Sequence, residues 1–258
     1  MNKVERFPRG ILYDKLCNLL AQFIIVPNKN TKNYLIEKEN VGVKKLIEIK
    51  FGFHLAEFEW CDKQRIQFFQ DSNNIPEGAF VIGIASRFTL IKGFQYSVPA
   101  LTHFLRENPH AILVIAGYGE EIPGEMHELL SGISQSQIRL ISRVNDMPAF
   151  YKSLSAFIHT PIDETVESFG LVYIEAFAAG TPSIITLSGI AKDVAMNKVN
   201  SLVVDFKDSV GILDALNILA SNKDLSDAIS LSARSTVSAF GMEKMCAEYV
   251  SLIREHHV

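Results

Sequence analysis

The sequence predicts an α/β fold, in which a doubly wound, Rossmann-like parallel sheet follows a small N-terminal β-α-β unit. From about residue 79 onward, short continuous apolar runs alternate with segments of helical spacing. Uninterrupted runs of this kind are typical of strands that are buried on both faces of a parallel sheet. Hydrophobic residues make up 48% of the 258 residues and charged residues 21%, as expected of a globular domain. In such a fold, ligands bind beyond the carboxyl ends of the strands.

The main part of the chain carries six predicted strands, each a short apolar run that ends in a turn or loop. They are 79–86 (AFVIGIAS), 111–117 (AILVIAG), 137–142 (QIRLIS), 155–160 (SAFIHT), 182–187 (PSIITL) and 201–206 (SLVVDF). Helical spacing predicts helices over 94–108, 121–131, 146–154, 170–180, 208–221, 223–238 and 242–256. Pro99 predicts either a bend in the first of these helices or a late start.

The N-terminal part is organised differently. A helix-like segment, ILYDKLCNLLAQ, leads to the strand 23–27 (FIIVP), a helix near 31–39 and a second strand at 45–53 (KLIEIKFGF). The predicted division of the chain is 1–60 as this small unit, 61–78 as a polar linker, 79–241 as the Rossmann-like domain and 242–258 as a C-terminal helix.

The predicted C-terminal helix has an apolar strip at helical spacing. Its members are Met242, Met245, Cys246, Tyr249 and Ile253. Two interpretations stay open: the strip packs against residues 1–25, or it stays exposed and binds a partner protein.

Composition excludes several classes of protein. The net charge of −4 argues against a nucleic-acid binder. The three cysteines include no C-x-x-C pair, so the sequence predicts neither a zinc site nor a disulfide framework and favours a reduced, cytoplasmic setting. The start, MNKVERFPRG, has no signal-peptide core, and no apolar run reaches membrane-spanning length, which leaves peripheral membrane contact open. D-x-D, G-x-S-x-G and P-loop motifs are all absent from the sequence.

Two cations follow the first strand of the main domain. Arg87 comes directly after this strand, and Lys92-Gly93 follows five residues later. A guanidinium fork and a mobile ammonium group at a strand end suit a diphosphate, although two solvated surface charges would give the same pattern. After the second strand, Gly117 and Gly119 allow the chain to approach a ligand closely, or simply to turn.

The loop after the fourth strand leads into an apolar helix that contains one carboxylate, Glu175. A buried carboxylate needs a partner, which would be a Lys or Arg side chain or a bound ligand. Glu167 precedes the start of this helix, where free N–H groups suit a phosphate or a sugar hydroxyl. Ser168 as an N-cap and Glu167 as a favourable charge give a simpler explanation of that helix start. His159, at the end of the fourth strand, is predicted to be a core or rim histidine.

These residues together resemble the nucleotide-sugar-binding half of glycosyltransferase family 4, whose members have the GT-B fold. The family's E-x7-E element matches Glu167 to Glu175 and continues as EA-x-A-x-G-x-P. Its Arg and Lys-Gly match Arg87 and Lys92-Gly93, and its G-x-G loop matches residues 117–119. The resemblance extends from about residue 20 to the last helix.

The resemblance implies a role for each matching residue. Arg87 and Lys92 would hold the donor diphosphate, and Glu167 would face the donor sugar near the reacting centre. Glu175 would bind the ribose hydroxyls, so that a ligand supplies its partner. The remaining donor contacts would come from Gly117, Tyr118, Arg143, Val144 and the backbone of Phe169, Gly170 and Leu171.

The implied activity is retaining, metal-independent transfer of a sugar from a nucleoside-diphosphate sugar to an unknown acceptor, with no cofactor. Glycan or polysaccharide synthesis is the setting that the resemblance favours. Two alternatives stay open: a non-catalytic nucleotide-sugar-binding subunit that needs a partner chain, and a sugar-nucleotide epimerase of the same fold.

The sequence also departs from the family pattern. A single glycine, Gly189, and Asp193 stand where the family has Gly-Gly and Glu, and the loop before Glu167 is longer than usual. Residues 1–60 resemble only the last β-α-β unit of the acceptor-side domain. The resemblance therefore implies that an acceptor-domain partner protein, or a longer chain, supplies the rest.

Overall fold

The computed structural model describes residues 8–117 and 121–256. Tyr118 and Gly119, two of the predicted loop residues, lie outside the described residues. In the described part of the chain the strands are β1 (Ile24–Val26), β2 (Leu46–Glu48), β3 (Val81–Ala85), β4 (Ile112–Ala116), β5 (Ile138–Ile141), β6 (Ala156–His159), β7 (Ser183–Ile185) and β8 (Leu202–Val203).

The helices cover most of the predicted helical segments. They are α1 (Pro8–Leu20), α2 (Lys29–Glu39), α3 (Leu55–Glu59), α4 (Lys63–Ser72), α5 (Phe94–Glu107), α6 (Gly124–Leu130), α7 (Met147–Lys152), α8 (Leu171–Ala179), α9 (Ala191–Val194), α10 (Ser209–Ser221), α11 (Lys223–Thr236) and α12 (Met242–His256). Short 3-10 turns span Val43–Lys45, Leu90–Lys92, Gln135–Gln137 and Val237–Phe240. Because α5 begins at Phe94 and contains Pro99, the alternative of a late helix start was wrong.

The main sheet confirms the predicted doubly wound architecture. Its six described strands are parallel and lie in the order β5-β4-β3-β6-β7-β8. The chain moves outward from β3 to β5 and then returns to the other side of β3 with β6. This reversal opens a crevice at the carboxyl ends of β3 and β6, which is where ligands bind in folds of this kind.

Two apolar layers cover the faces of the sheet. One layer contains α7 and α8 and is centred on Phe150, Phe157 and Phe177, which are fully buried. The other contains α5 and α10, with Leu101 and Leu216 fully buried. Since both faces are covered, the central strands β3 and β4 are apolar and buried along their whole length, and this explains their uninterrupted runs in the sequence.

The small N-terminal unit is a β-α-β unit with its own core. β1 and β2 pair in parallel, and Val26, Val41 and Leu46 are buried between them and α2. This unit joins the main domain through Phe53, whose N–H donates to the Phe240 carbonyl oxygen at 2.8 Å.

The segment predicted as a polar linker, 61–78, contains a helix instead. Asp62 caps α4 by accepting a hydrogen bond from the Gln64 N–H at 2.8 Å. Phe69 is buried and packs edge-on against Phe150 of α7, with ring centroids 5.9 Å apart. Arg65 adds a bidentate pair with Asp146 at 2.7 and 2.8 Å. The segment is therefore not a purely polar connection, because its helix packs on α7 through Phe69 and Arg65.

The C-terminal helix α12 contacts the small unit at its first turns. The Met242 N–H donates to the Phe53 carbonyl oxygen at 3.0 Å, and Met245 packs over Gly52. Further along, Cys246 and Ile253 are exposed, so only part of the apolar strip is covered.

Candidate functional site

The predicted site residues come from loops that meet at the carboxyl edge of the sheet. Lys92 lies in the loop after β3, and Glu167 and the start of α8 follow β6. Ser188 follows β7, and its hydroxyl accepts a hydrogen bond from the Glu167 N–H at 3.1 Å. Because β3, β6 and β7 are parallel, these loops share one rim.

Glu167 lies at the centre of this rim. Its Oε1 atom forms an ion pair with the Nζ atom of Lys92. His159, the last residue of β6, places its Nε2 atom 2.8 Å from the same oxygen. The side chains of Glu167 and Lys92 are only 13% and 12% exposed, so this pair is largely shielded from solvent.

The charge of Glu167 is stabilised by these two partners. Burial alone would raise its pKa, but the hydrogen bond and the electrostatic interaction with His159, followed by the charge and hydrogen bond of Lys92, outweigh it and lower the pKa to about 2. Burial lowers the pKa of His159, against the opposite effect of Glu167. We infer that His159 is neutral near pH 7 and that its Nε2–H group donates to the carboxylate.

Aromatic rings fix the imidazole of His159. The ring of Phe157 lies parallel to it at a centroid distance of 6.3 Å, and the ring of Tyr173 approaches it edge-on at 5.0 Å. The histidine is 3% exposed. The prediction of a core or rim histidine was correct about its burial but missed its contact with Glu167.

The turn that carries Lys92 depends on the glycine that follows it. Gly93 has φ +84°, and a Cβ atom there would lie 1.9 Å from the Thr160 carbonyl oxygen. Only glycine fits this approach of two loops. The Lys-Gly pair therefore places Lys92 beside the end of β6, where it forms an ion pair with Glu167.

The N-terminus of α8 presents free donors. Gly170 takes a left-handed conformation with φ +89° and opens the helix. The N–H groups of Phe169, Gly170 and Leu171 have no acceptor among the residues that the structure describes. The Phe169 side chain is buried against Phe51, with ring centroids 5.0 Å apart, so only its backbone faces the site. Free N–H groups at a helix start are suited to an anion.

Glu175 has a protein partner, which corrects one expectation. Tyr151 of α7 is fully buried, and its hydroxyl donates to the Glu175 Oε2 atom at 2.9 Å. Burial raises the pKa of Glu175, and this hydrogen bond only partly offsets the increase. The two expected kinds of partner, a cationic side chain and a bound ligand, did not include a tyrosine. The Oε1 atom has no partner within the described residues.

The other predicted contact residues also follow strands, at the carboxyl edge of the sheet. Arg87 and Arg143 are exposed and form no ion pair with the described part of the chain. Gly117 has φ +90° and donates its N–H to the Ile141 carbonyl oxygen at 2.9 Å, which joins the ends of β4 and β5. Val144 packs against the core.

A cleft separates α2 of the small unit from the loop 163–168. Its volume is about 370 Å³, and Glu167 is one of the residues that line it. Asn28 and Asn30 span the junction, because their amides donate to the carbonyl oxygens of Ser168 and Gly189. The remaining lining is mostly polar and comprises Thr31, Asn33, Tyr34, Glu37, Lys38, Glu164, Thr165, Ser168 and Lys192.

Several residues of this region were missed by the sequence analysis. Asn28, Tyr151 and Ser188 carry no motif, and their partners are 140, 24 and 21 residues away in the chain. Contacts of such separation leave no local signal. His159 did have one, since it stands at a strand end eight residues before Glu167.

Two kinds of feature are absent from the described residues. Over residues 8–117 and 121–256, no group of three or more His, Cys, Asp or Glu residues could hold a metal ion. Among the helices of that same stretch, none combines the length and apolar character that crossing a membrane requires.

Two solved structures have a closely similar architecture. Anabaena HepE, in complex with UDP-glucose, superimposes with a TM-score of 0.85 at 18% identity and covers 97% of this chain and 69% of its own. Sucrose-phosphate synthase from Thermosynechococcus elongatus gives a TM-score of 0.82 at 18% identity, over 100% of this chain and 64% of its own. At these identities the likeness shows the fold, that of the Rossmann-like GT-B half.

Curated relatives resemble the chain over part of their length. D-inositol 3-phosphate glycosyltransferases of Xylanimonas cellulosilytica and Corynebacterium urealyticum are 29% and 30% identical over 178 and 190 residues. These alignments cover 67% and 70% of this chain but 42% and 44% of the relatives. The chain thus spans less than half the length of these relatives.

A family model covers the region that contains the site. The model described as "Glycosyl transferases group 1" matches residues 65–236, which include β3 to α11 and every predicted site residue. This match extends over well more than half of the 258 residues. The chain therefore belongs to the glycosyl transferases group 1 family.

Proposed function

We propose that the chain is the donor-binding part of a retaining, metal-independent glycosyltransferase of family 4, which moves a sugar from a nucleoside-diphosphate sugar to an acceptor. The observation that carries this proposal is the buried Lys92–Glu167 pair beside the free N-terminus of α8. This arrangement puts a cation, a carboxylate and backbone donors within one rim. The likeness in fold to Anabaena HepE, which was solved in complex with UDP-glucose, supports this class of donor.

The diphosphate would bind between the cations and the helix. Arg87 is exposed at the end of β3, and the N–H groups of residues 169–171 point from the start of α8. Lys92 would turn from Glu167 toward the phosphates, since a doubly charged group attracts it more strongly than one carboxylate does. Negative charge that develops on the leaving diphosphate would be stabilised by these preorganised groups.

The nucleoside would extend from there toward α7. Glu175 keeps one carboxylate oxygen available beside its bond from Tyr151, and this oxygen would accept a ribose hydroxyl. Arg143 and Val144, after β5, would border the base.

The acceptor would enter through the cleft between α2 and the loop 163–168. Amide and hydroxyl side chains line it, among them Asn33 and Tyr34, and such groups suit a ligand rich in hydroxyls. Exchange of Asn33 for Ala should reduce transfer to a carbohydrate acceptor about tenfold, while nucleotide affinity stays the same. An equal loss of nucleotide affinity would place the acceptor elsewhere.

The donor assignment is tested by calorimetry on the purified chain. We expect micromolar binding of one of UDP, GDP or ADP without added metal, and a loss of at least tenfold in Lys92→Ala. Lys223→Ala is the matched control, since Lys223 is 84% exposed and pairs with Asp227 in its own helix. Unchanged affinity in the Lys92 variant would contradict the proposal.

A second candidate function is a nucleotide-sugar-binding subunit that works with another chain. It is favoured by the apolar residues exposed on α1, where Tyr13, Leu16, Leu19 and Leu20 are at least half exposed. Transfer by the isolated chain would exclude this candidate. Conversion of a donor sugar to its epimer without any acceptor would instead favour the epimerase alternative.

A further inference from the structure

We propose that His159 is a positioning residue that holds Glu167 in place while Lys92 binds the donor diphosphate. This inference rests on the proposed function, because it concerns the exchange of partners that donor binding requires. The observation behind it is that both partners of Glu167 use the same oxygen atom. Lys92 and His159 both contact Oε1, whereas Oε2 has no partner within the described part of the chain.

The two partners differ in mobility. Lys92 reaches Glu167 through a four-carbon chain from a short 3-10 turn, so rotations of its side chain can redirect the ammonium group. His159 is held between the rings of Phe157 and Tyr173, and its side chain is 2% exposed. When a phosphate binds at the rim, Lys92 can therefore turn to contact it, whereas His159 keeps its hydrogen bond to Glu167.

The two partners also differ in charge. A neutral imidazole donates one hydrogen bond and carries no positive charge, so an incoming diphosphate has little electrostatic attraction for it. The titratable groups that face Glu167 are Lys92 from the loop after β3 and His159 from β6, with the Tyr173 hydroxyl nearby on α8. Once Lys92 has left, the hydrogen bond from His159 is the remaining interaction that keeps the buried carboxylate ionised and aligned.

The consequence concerns the free Oε2 atom. With Oε1 fixed by His159, the plane of the carboxylate is set, and Oε2 is left free to accept a hydrogen bond from a ligand. A sugar hydroxyl at that position would then find a preorganised acceptor. The histidine would thus affect binding of the sugar part of the donor and have little effect on its nucleotide part.

Calorimetry with UDP and UDP-glucose separates these effects. In His159→Phe, which keeps an aromatic ring but removes the donor, we expect UDP affinity within twofold of the unmodified chain. The ratio of UDP-glucose affinity to UDP affinity should fall about tenfold in this variant. His159→Gln, whose side-chain amide can donate a hydrogen bond to Glu167, should restore part of that ratio. As the pH falls, the remaining preference for UDP-glucose over UDP should disappear at a higher pH in His159→Phe than in the unmodified chain. The reason is that Glu167, without the hydrogen bond from His159, would take up its proton more easily.

A spectroscopic measurement keeps the inference testable if the variants fold poorly or glucose is not the sugar. Nitrogen-15 spectra of histidine in the unmodified chain should show the Nε2–H tautomer of His159 with and without saturating UDP. A change of tautomer or loss of that proton on UDP binding would overturn the inference, as would a sugar preference that His159→Phe retains. If the unmodified chain binds no nucleotide, the proposed function fails, and this inference fails with it. If the unmodified chain binds nucleotide but the results on His159 differ from those expected, the inference about His159 fails and the proposed function is retained.

Discussion

Glu167 combines burial with a low pKa, and this combination makes the stability of the free protein depend on pH. Its pKa in the folded chain is about 2, against an ordinary value of 4.5. A carboxyl group whose folded pKa is lowered stabilises the fold above its unfolded pKa and loses this contribution as the pH falls. The window in which the contribution is lost therefore lies between about pH 4.5 and 2.

We expect Glu167→Gln to remove part of this pH dependence. Between pH 5 and 3, the free energy of unfolding should fall by about 2 kcal/mol more in the unmodified chain than in the variant. The comparison uses the slope, since the variant also loses its charge interaction with Lys92 at every pH. Urea unfolding at several pH values measures how the free energy of unfolding depends on pH in each chain. The same pH dependence in both would show that Glu167 is not held as the structure has it.

Glu175 shows the opposite behaviour. Burial raises its pKa, so ionisation of this group near neutral pH costs the free protein stability. Glutamine has the same shape and still accepts the hydrogen bond of the Tyr151 hydroxyl. Such a cost is typical of a group that is retained for binding and not for folding.

Glu175→Gln should therefore raise the melting temperature of the free chain and weaken nucleotide binding about tenfold. Thermal unfolding and calorimetry at pH 7 test the two parts separately. Tyr151→Phe is the useful comparison, because it keeps the carboxylate and removes only the hydroxyl that donates to it. A glutamine variant that binds nucleotide normally would remove Glu175 from the site.

At the scale of elements, α4 shows how a largely polar segment becomes part of the core. Two adjacent phenylalanines have opposite environments: Phe69 is 7% exposed against Phe150, whereas Phe68 is 74% exposed. Exchange of Phe69 for Ala should cost about 3 kcal/mol of unfolding free energy, as is usual for a buried phenylalanine. Phe68→Ala, the matched control, should cost less than about 0.5 kcal/mol. Equal effects in urea unfolding would mean that this helix does not pack as described.

The strands and long helices were predictable because their signals are local. Apolar runs such as VIGIA and ILVIA identify strands buried on both faces wherever they occur. The helix α4 was missed because its polar composition predicts a linker. Its one buried ring, that of Phe69, packs against α7, and the sequence does not show this contact. The short helix α9 was missed as well, since four residues are too few to show a period.

The same difference applies to the site. Lys92, Glu167 and Glu175 were recognisable from their order in the chain and from a family resemblance. The hydroxyl of Tyr151 and the amide of Asn28 were not, because folding alone brings them to their partners. Sequence order therefore revealed the residues that would touch a donor more readily than those that hold them in place.

At the scale of the whole molecule, the rim depends on how the small N-terminal unit meets the main domain. Asn28 is fully buried at this junction and has two roles. Its Nδ2 group donates to the Ser168 carbonyl oxygen, and its Oδ1 atom accepts from the Thr31 N–H at 2.8 Å, which caps α2. One side chain thus links the start of α2 to the segment that carries Glu167.

Asn28→Ala should loosen both elements together. Loss of the cap and of the hydrogen bond to the Ser168 carbonyl oxygen should cost about 2 kcal/mol. Amide hydrogen exchange should then become faster at the start of α2 and in the loop 163–168, while the distant helix α10 keeps its protection. Asn217→Ala, an exposed change on α10, serves as the control. If exchange rises only within α2, the small unit does not support the loop, and Glu167 would owe its position to Lys92, His159 and Ser188.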